Sequence, residues 1–409
     1  MKMETTQVAI IGAGPSGAIA AALLNQKGID VLVLEKATFP RFSIGESLLP
    51  ACMESIRAAG MLDAVNQAGF QFKNGAAFSH RGRYVNFDFT DKFSIGIGTT
   101  FQVQRGQFDK VLADDAERQG VTIRYQHEIE SVELDGDKPR LIVKNQNGDA
   151  YTLAADFILD ASGFGRVLPR LLELETPSCL PPRQAIFTHI VDNIEDSQYD
   201  RDKILISVHP EHHDVWYWLI PFSNGTCSFG IVGEPAFFER YPDNHIEAIR
   251  QLAAEEPRLA VLLANAEYPN PSGQIGGYSA NVSTLATNKF ALLGNAGEFL
   301  DPVFSSGVTI AMKSAELATE VLARQLAGED VDWAADYEQP LLKGIDTFRC
   351  YVEGWYTGTL QDVIFYPRPD TKVKQMICSI LAGYAWDQDN PYVKEPVRRL
   401  NALASICAP

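Results

Sequence analysis

The stretch QVAIIGAGPSGAIAAALLNQKGIDVLVLEK, Gln7 to Lys36, decides the fold. An apolar run, Val8–Ile11, leads directly into Gly12, Gly14 and Gly17 with the spacing G-x-G-x-x-G. An alanine-rich helical stretch and a second apolar run, Val31–Leu34, follow. That order predicts a strand, a tight turn, a helix and a parallel strand. Gly12 permits the turn, Gly14 lets backbone approach a pyrophosphate, and Gly17 lets the helix pack close to the sheet. The free N–H groups of the helix start, at Ser16 and its neighbours, favour an anion there. Glu35 ends the second strand 23 residues after Gly12, placed to accept from ribose hydroxyls, with Lys36 beside it. A dinucleotide is expected; the fingerprint alone does not separate flavin from nicotinamide.

The 409 residues suggest two or three packed units, and 46% hydrophobic with 21% charged residues is a soluble globular composition. Apolar runs are too short to span a bilayer, and Met1-Lys2-Met3-Glu4 leads straight into a strand pattern, so a cytoplasmic chain is expected. A net charge of −17 argues against nucleic acid or anionic membrane as partner. The six cysteines and seven histidines are scattered without metal-ligand spacing, so no metal is expected and the thiols are expected reduced and mostly buried.

Three later stretches point to flavin. They are Asp160-Ala161-Ser162-Gly163, the run FALLGNAGEFLDP from Phe290 to Pro302, and Arg105 with Asp109 in VQRGQFDKVL. Here the chain resembles the flavoprotein monooxygenase superfamily, which contains aromatic hydroxylases and flavin-dependent halogenases. The resemblance runs from Gln7 to roughly Leu326 and implies FAD. It implies cofactor contacts at Asp160, Gly163, Gly294, Asn295, Asp301 and Arg105, in addition to the fingerprint residues. Asn295 stands where the family carries aspartate; an amide still hydrogen-bonds a ribityl hydroxyl, without charge. Arg41 and Ser47, in RFSIGESLLP, belong to the same region, Arg41 serving either a flavin phosphate or an ion pair with glutamate.

From about Cys179 to Gly273 the pattern changes to AIFTHIV, ILISVHP, VWYWLIPF and CSFGIVGE, expected to form a largely antiparallel sheet with one half-buried face. The predicted fold is therefore α/β: a G-x-G-x-x-G FAD-binding domain, three-layered on a parallel sheet, with an inserted antiparallel substrate sheet and a helical C-terminal region. Its expected boundaries are 1–75, 100–178 and 274–330 for the FAD domain, 76–99 and 179–273 for the substrate sheet, and 331–409 for the helices.

Trp216 and Trp218 alternate on one strand and so share a face. Trp216-Tyr217-Trp218-Leu219-Ile220-Pro221 resembles W-x-W-x-I-P, the signature of the flavin-dependent halogenases. In that family bulky side chains keep the organic substrate off the flavin; a packed sheet core leaves the same trace. Lys73, in GFQFKNGAAF, matches the pattern around the lysine essential for halogenation, an exposed strand-end lysine being the alternative. Ser305, Ser306 and Gly307 lead into a helical pattern, and Ser306 and Gly307 match the segment that binds halide beside the flavin. In hydroxylases such amides contact only the flavin ring; the two roles are not exclusive, and Gly307 and Val308 are also implied cofactor contacts. No glutamate partner of Lys73 is assignable by motif. The aromatics of Gly354-Trp355-Tyr356 and Leu381–Trp386 line the substrate pocket or fill the core.

The resemblance implies an oxidoreductase that uses FADH2 from a separate flavin reductase, O2 and chloride or bromide. The hypohalous oxidant passes by way of Lys73 to an electron-rich aromatic: a phenol, a pyrrole or a carrier-protein-bound ring. An aromatic hydroxylase or a prenyl-chain reductase on the same scaffold is the alternative.

Overall fold

The computed structural model describes residues 2–195 and 199–407, so residues 1, 196–198 and 408–409 of the expected domains lie outside it. The parallel core of the first sheet runs Thr122–Tyr125, Val31–Glu35, Met3–Ile11, Ala150–Asp160, Phe290–Leu292. The antiparallel strands Arg140–Lys144 and Glu128–Glu133 extend it from the first half of Ala150–Asp160. Register aligns Ile11 with both Leu34 and Asp160, and Asp160 with Leu292, so four strands end together. In open α/β sheets a ligand crevice forms at such carboxyl ends.

Burial explains the layers. Val8, Ile10 and Val33 point one way, into a core shared with Ala18 and Ala22 of the helix Pro15–Gln26, Leu112 of Arg105–Arg118, and Ala315 and Leu322 of Ser306–Leu326. Ala9, Ile11, Leu32 and Leu34 point the other way and pack with Leu141, Val143 and Leu153. Period 2 in the strands thus supplies both faces of a sheet covered on both sides.

The second sheet has the order Gly273–Gly276, Gln184–Val191, Thr226–Gly233, Trp216–Pro221, Lys203–Val208, Gly75–His80, Arg83–Asp88. All its pairings are antiparallel except Lys203–Val208 with Gly75–His80. The expectation of one half-buried face is corrected here: Lys203–Val208 and Trp216–Pro221 are buried at every position. The reason is a second cover. Tyr217, Leu219, Phe229 and Ile231 pack on Ile249, Leu252 and Leu259 from the helices His245–Glu255 and Pro257–Leu262. Trp216, Trp218, Ile204 and Ile206 face the main core instead.

The C-terminal helices Gln339–Tyr356, Thr359–Ile364, Thr371–Leu381 and Pro396–Cys407 close the far side. Gly344 is required there, since a Cβ would stand 2.1 Å from the Trp386 ring. No helix among the described residues is long and apolar enough to cross a membrane.

Candidate functional site

Strand ends, helix starts and the inner face of the second sheet enclose a cavity of about 780 Å³. Its fingerprint turn is built by sterics. Gly12 sits at φ +95°, and a Cβ there would lie 2.7 Å from the Ala161 carbonyl oxygen. At Gly17 a Cβ would come within 2.0 Å of the Gly12 carbonyl, so the helix can close on the turn only with glycine. Gly14 differs: its nearest neighbour would be Arg41 Nη2 at 3.5 Å, which leaves the backbone open to the cavity. Ser16 also lines the cavity, at the start of a helix whose first N–H groups carry no side-chain cap. An open backbone, uncapped N–H groups and a nearby guanidinium fit a pyrophosphate.

Glu35 and Lys36 line the cavity as well. The Glu35 carboxylate accepts from the Ala13 and Ala37 amides, both at 2.9 Å, which fixes it at the turn. Arg41 lies 3.3 Å from Asp109 Oδ2 and 3.8 Å from Glu35 Oε1. The structure shows Arg41 in ion pairs at the cavity wall, with Asp109 nearer than Glu35. Arg105 grips Asp109 through two bonds of 2.8 and 3.1 Å and donates to the Ile44 carbonyl at 2.6 Å, tying the 44–47 segment to its helix.

Gly163, Asn295, Gly307 and Val308 also line the cavity, as does Ser47. Asp160, Gly294 and Asp301 stand behind it. Asp160 accepts from the Ser162 and Leu168 amides, shaping the turn that brings Gly163 forward. Gly294 has φ +54° and packs on Ala311, where a Cβ would clash at 2.6 Å. Asp301 accepts from the Val303 amide at 2.9 Å and from the Tyr356 hydroxyl at 2.7 Å. Burial pushes its carboxyl up to about 6, against the opposing pull of those donors.

The halide candidates follow this loop. Ser305 adopts the left-handed conformation, φ +55°, and the helix Ser306–Leu326 starts immediately after it. Ser305 and Gly307 reach the cavity, whereas the Ser306 side chain is buried beside it. A left-handed residue before a helix start turns successive N–H groups toward one point, which suits an anion.

Trp216 and Trp218 both line the cavity, with ring centroids 6.0 Å apart. Each indole is fixed by its N–H: Trp216 Nε1 donates to the Tyr356 hydroxyl at 3.1 Å and Trp218 Nε1 to Ser228 Oγ at 3.0 Å. Gly230 pairs across from Trp218, and a Cβ on it would penetrate the indole at 2.3 Å. The glycine in CSFGIVGE makes room for the wall.

Lys73 lies outside this cavity and is fully buried, so it is not the exposed strand-end lysine of the alternative. It ends the three-residue strand Gln71–Lys73, paired with Thr100–Gln102. Its Nζ donates to Ser47 Oγ and to the Leu48 carbonyl, both at 2.7 Å. It borders a second, apolar cavity of about 10 Å³ formed by residues such as Leu49, Phe78, Phe89, Phe304 and Leu381. Burial drives the ammonium down to about 7, with a smaller opposing pull from Cys52. Ile204 and Ser305 border both cavities, and Ser47 joins the first to the lysine.

Two contacts escaped the sequence. Tyr356, on the C-terminal helix, bridges Trp216 to Asp301 across 140 and 55 residues. Glu46, in the G-E-S turn, lines the cavity and accepts from His189 Nε2 at 2.6 Å. Among the described residues no group of three or more His, Cys, Asp or Glu is placed to hold a metal ion.

The chain matches the model of the FAD binding domain over residues 5–336. It is 32% identical to a tryptophan 2-halogenase of Chondromyces crocatus, over 83% of this chain and 66% of that protein. It is 26% identical to a 1H-pyrrole-2-carbonyl-[peptidyl-carrier protein] chlorinase of Pseudomonas fluorescens, over 97% of this chain and 93% of that one. Among solved structures, a flavoprotein/dehydrogenase from Cytophaga hutchinsonii superposes with a TM-score of 0.95 at 44% identity, over 99% of both chains.

Proposed function

We propose, from the premise that this chain belongs to the FAD-binding-domain family, that it is a flavin-dependent halogenase acting with chloride or bromide on an electron-rich aromatic. One observation carries this: a fully buried lysine, its amine brought down to about 7, sits behind the cavity wall and is joined to that cavity through Ser47 and Ser305.

FAD would lie in the 780 Å³ cavity, held at Gly12, Gly14, Ser16, Glu35, Arg41 and the 160–163 and 294–308 turns. Bound there and reduced by a separate flavin reductase, FAD would supply with O2 the two-electron oxidant needed to turn halide into hypohalous acid. The protein's own groups do the rest. The amides at Ser306 and Gly307 hold halide. Trp216 and Trp218 exclude an aromatic ring from the flavin side. Lys73 receives the small oxidant, and near pH 7 about half of its amines are uncharged, against about 1 in 3,000 for an ordinary lysine. An uncharged amine is a nucleophile toward hypohalous acid, and an ammonium is a donor that steers it. The substrate class is a phenol, a pyrrole or a carrier-bound ring, the last supported by likeness to the carrier-protein chlorinase.

The test supplies reduced flavin, O2, chloride or bromide, and a panel of phenols and pyrroles, free and carrier-bound, with mass spectrometry as readout. Products heavier by one halogen are expected. Products heavier by one oxygen, formed independently of halide, would instead mark a hydroxylase.

A further inference from the structure

Halide oxidation consumes a proton: FADH2 + O2 + X⁻ + H⁺ gives FAD + HOX + H2O. Two electrons pass from the flavin and two from the halide to oxygen, and the proton ends in water. The subsequent step, ArH + HOX to ArX + H2O, consumes none. Plain hydroxylation has no such net demand, so the need for a proton route into the cavity rests on the halogenase reading above.

We propose that Glu46 and His189 are that route, a two-residue relay between solvent and the FAD cavity. Glu46 is 3% exposed and lines the cavity, so its carboxylate is otherwise shut off from water. His189 Nε2 donates to Glu46 Oε1 at 2.6 Å, while a quarter of its side chain remains exposed. The pair is held at both ends. The Glu46 carbonyl accepts from the Val103 amide at 2.7 Å, and Arg105 clamps the neighbouring Ile44 carbonyl. His189 is held in the strand Gln184–Val191 opposite Ser228, with Phe222 edge-on to its ring at 5.3 Å and Phe42 at 6.1 Å.

The charged and titratable groups around the pair are few. On the Glu46 side Arg105 is neutralised by Asp109, Arg41 also faces Asp109, and Lys73 donates to the residues that follow Glu46, Ser47 and Leu48. On the His189 side Ser228 Oγ is occupied by the Trp218 indole, and Asn270 donates to the His189 carbonyl. Burial disfavours the imidazolium, but the hydrogen bond and charge of Glu46 outweigh it and hold His189 above the ordinary imidazole range. At neutral pH the ring therefore takes a proton from water readily. The imidazolium passes its Nε2 proton to Glu46, which releases it into the cavity; the neutral ring keeps its Nδ1 proton and takes a new one from water at Nε2 once it swings off Glu46.

The test uses full-length protein in weak buffer with a pH indicator, reduced flavin, O2 and bromide, comparing wild type, His189→Ala and Glu46→Gln. Bound-flavin absorbance checks the fold of each variant, and NMR of the apoproteins follows the His189 ring. Wild type is expected to take up one proton per brominated product. His189→Ala should slow uptake and product together by about 10²-fold, with added imidazole restoring both; Glu46→Gln should be slow without rescue. In Glu46→Gln the His189 titration should fall, since burial then acts without the opposing carboxylate charge. A structural anchor would give no imidazole rescue. Wild-type rates in folded His189→Ala would overturn the relay and leave the halogenase standing. Absence of any halogenated product from wild type would overturn both, since the proton demand would vanish.

Discussion

Replacing Lys73 by methionine tests the central assignment without relying on turnover. The folded ammonium titrates at about 7 against an ordinary 10.5, and a unit of pKa is worth about 1.4 kcal/mol. For a base whose pKa is lowered by folding, the unfolded chain binds more protons between about pH 7 and 10.5. Stability therefore rises with pH across that window, and the full penalty, on the order of 5 kcal/mol, is present below it. Lys73→Met removes this titration. It also leaves Ser47 Oγ and the Leu48 carbonyl without their donor, a loss of about 1–3 kcal/mol each that does not vary with pH. The stability of wild type relative to Lys73→Met should thus increase by roughly 3–4 kcal/mol from pH 7 to pH 10. With an unfolding entropy of about 2.1 cal/mol/K per residue, that is a relative change in Tm of about 4 °C. Parallel thermal melts of both apoproteins at pH 7, 8, 9 and 10 measure it, since all other titrating groups are shared. A Tm gap constant within one degree would refute a desolvated Lys73. The same variant should keep FAD and form no halogenated product. Lys73→Arg should be equally inactive, because guanidinium stays charged.

Gly14→Val should fold, because a Cβ there meets only ordinary contacts, yet bind FAD at least tenfold more weakly by flavin fluorescence; unchanged affinity would remove the fingerprint from the site. Crystals soaked in bromide should show anomalous density at the Ser306 and Gly307 amides, and bromide found only elsewhere at full flavin occupancy would count against the halide assignment. Tyr356→Phe should cost about 1.5–3 kcal/mol by releasing the Asp301 carboxylate and the Trp216 indole at once. Its ratio of halogenated product to oxygen consumed should fall while FAD stays bound, and a wild-type ratio would show that the wall does not depend on this bridge.

What was legible in the sequence was local. Gly12 and Gly17 are dictated by contacts within one turn and its neighbouring strand, and the shared face of Trp216 and Trp218 follows from strand period alone. What was not legible depends on distant partners. The second sheet looks half-buried until the helices from His245 onward cover its outer face. The motif around Lys73 marks the lysine but not its burial, which Ser47, 26 residues earlier, and Leu381, far later, complete. The Glu46–His189 contact spans 143 residues, and a glutamate in a G-E-S turn gives no sign of its histidine. Asp301 matched a family motif, but its carboxylate serves the loop and Tyr356 rather than the cavity surface.

The volumes of the two cavities impose one further consequence. A cavity of about 10 Å³ is at the lower bound for a single water, so an aromatic ring does not fit beside Lys73. On the proposed reading a ring reaches the amine by opening the apolar lining, because Trp216 and Trp218 line the larger cavity and would keep it from that side. Phe89 and Leu381 line the small cavity on another side. Phe89 leads into the 90–99 segment, whose bonds to the C-terminal region include Phe93 N–H to the Gln375 carbonyl, Gln375 Nε2 to Asp91 Oδ1, Ser94 N–H to Ser379 Oγ, and the Tyr384 hydroxyl to the Ile97 carbonyl. Binding of a substrate phenol or pyrrole should therefore break these bonds before any on the flavin side. In Lys73→Met, where no turnover intervenes, saturating ligand should speed amide exchange at Phe93 and Ser94 by at least severalfold while leaving the Gly12–Gly17 turn unchanged. Exchange that changes only around the fingerprint turn and the tryptophans would place the ring in the flavin cavity, and the wall would then be a substrate shelf.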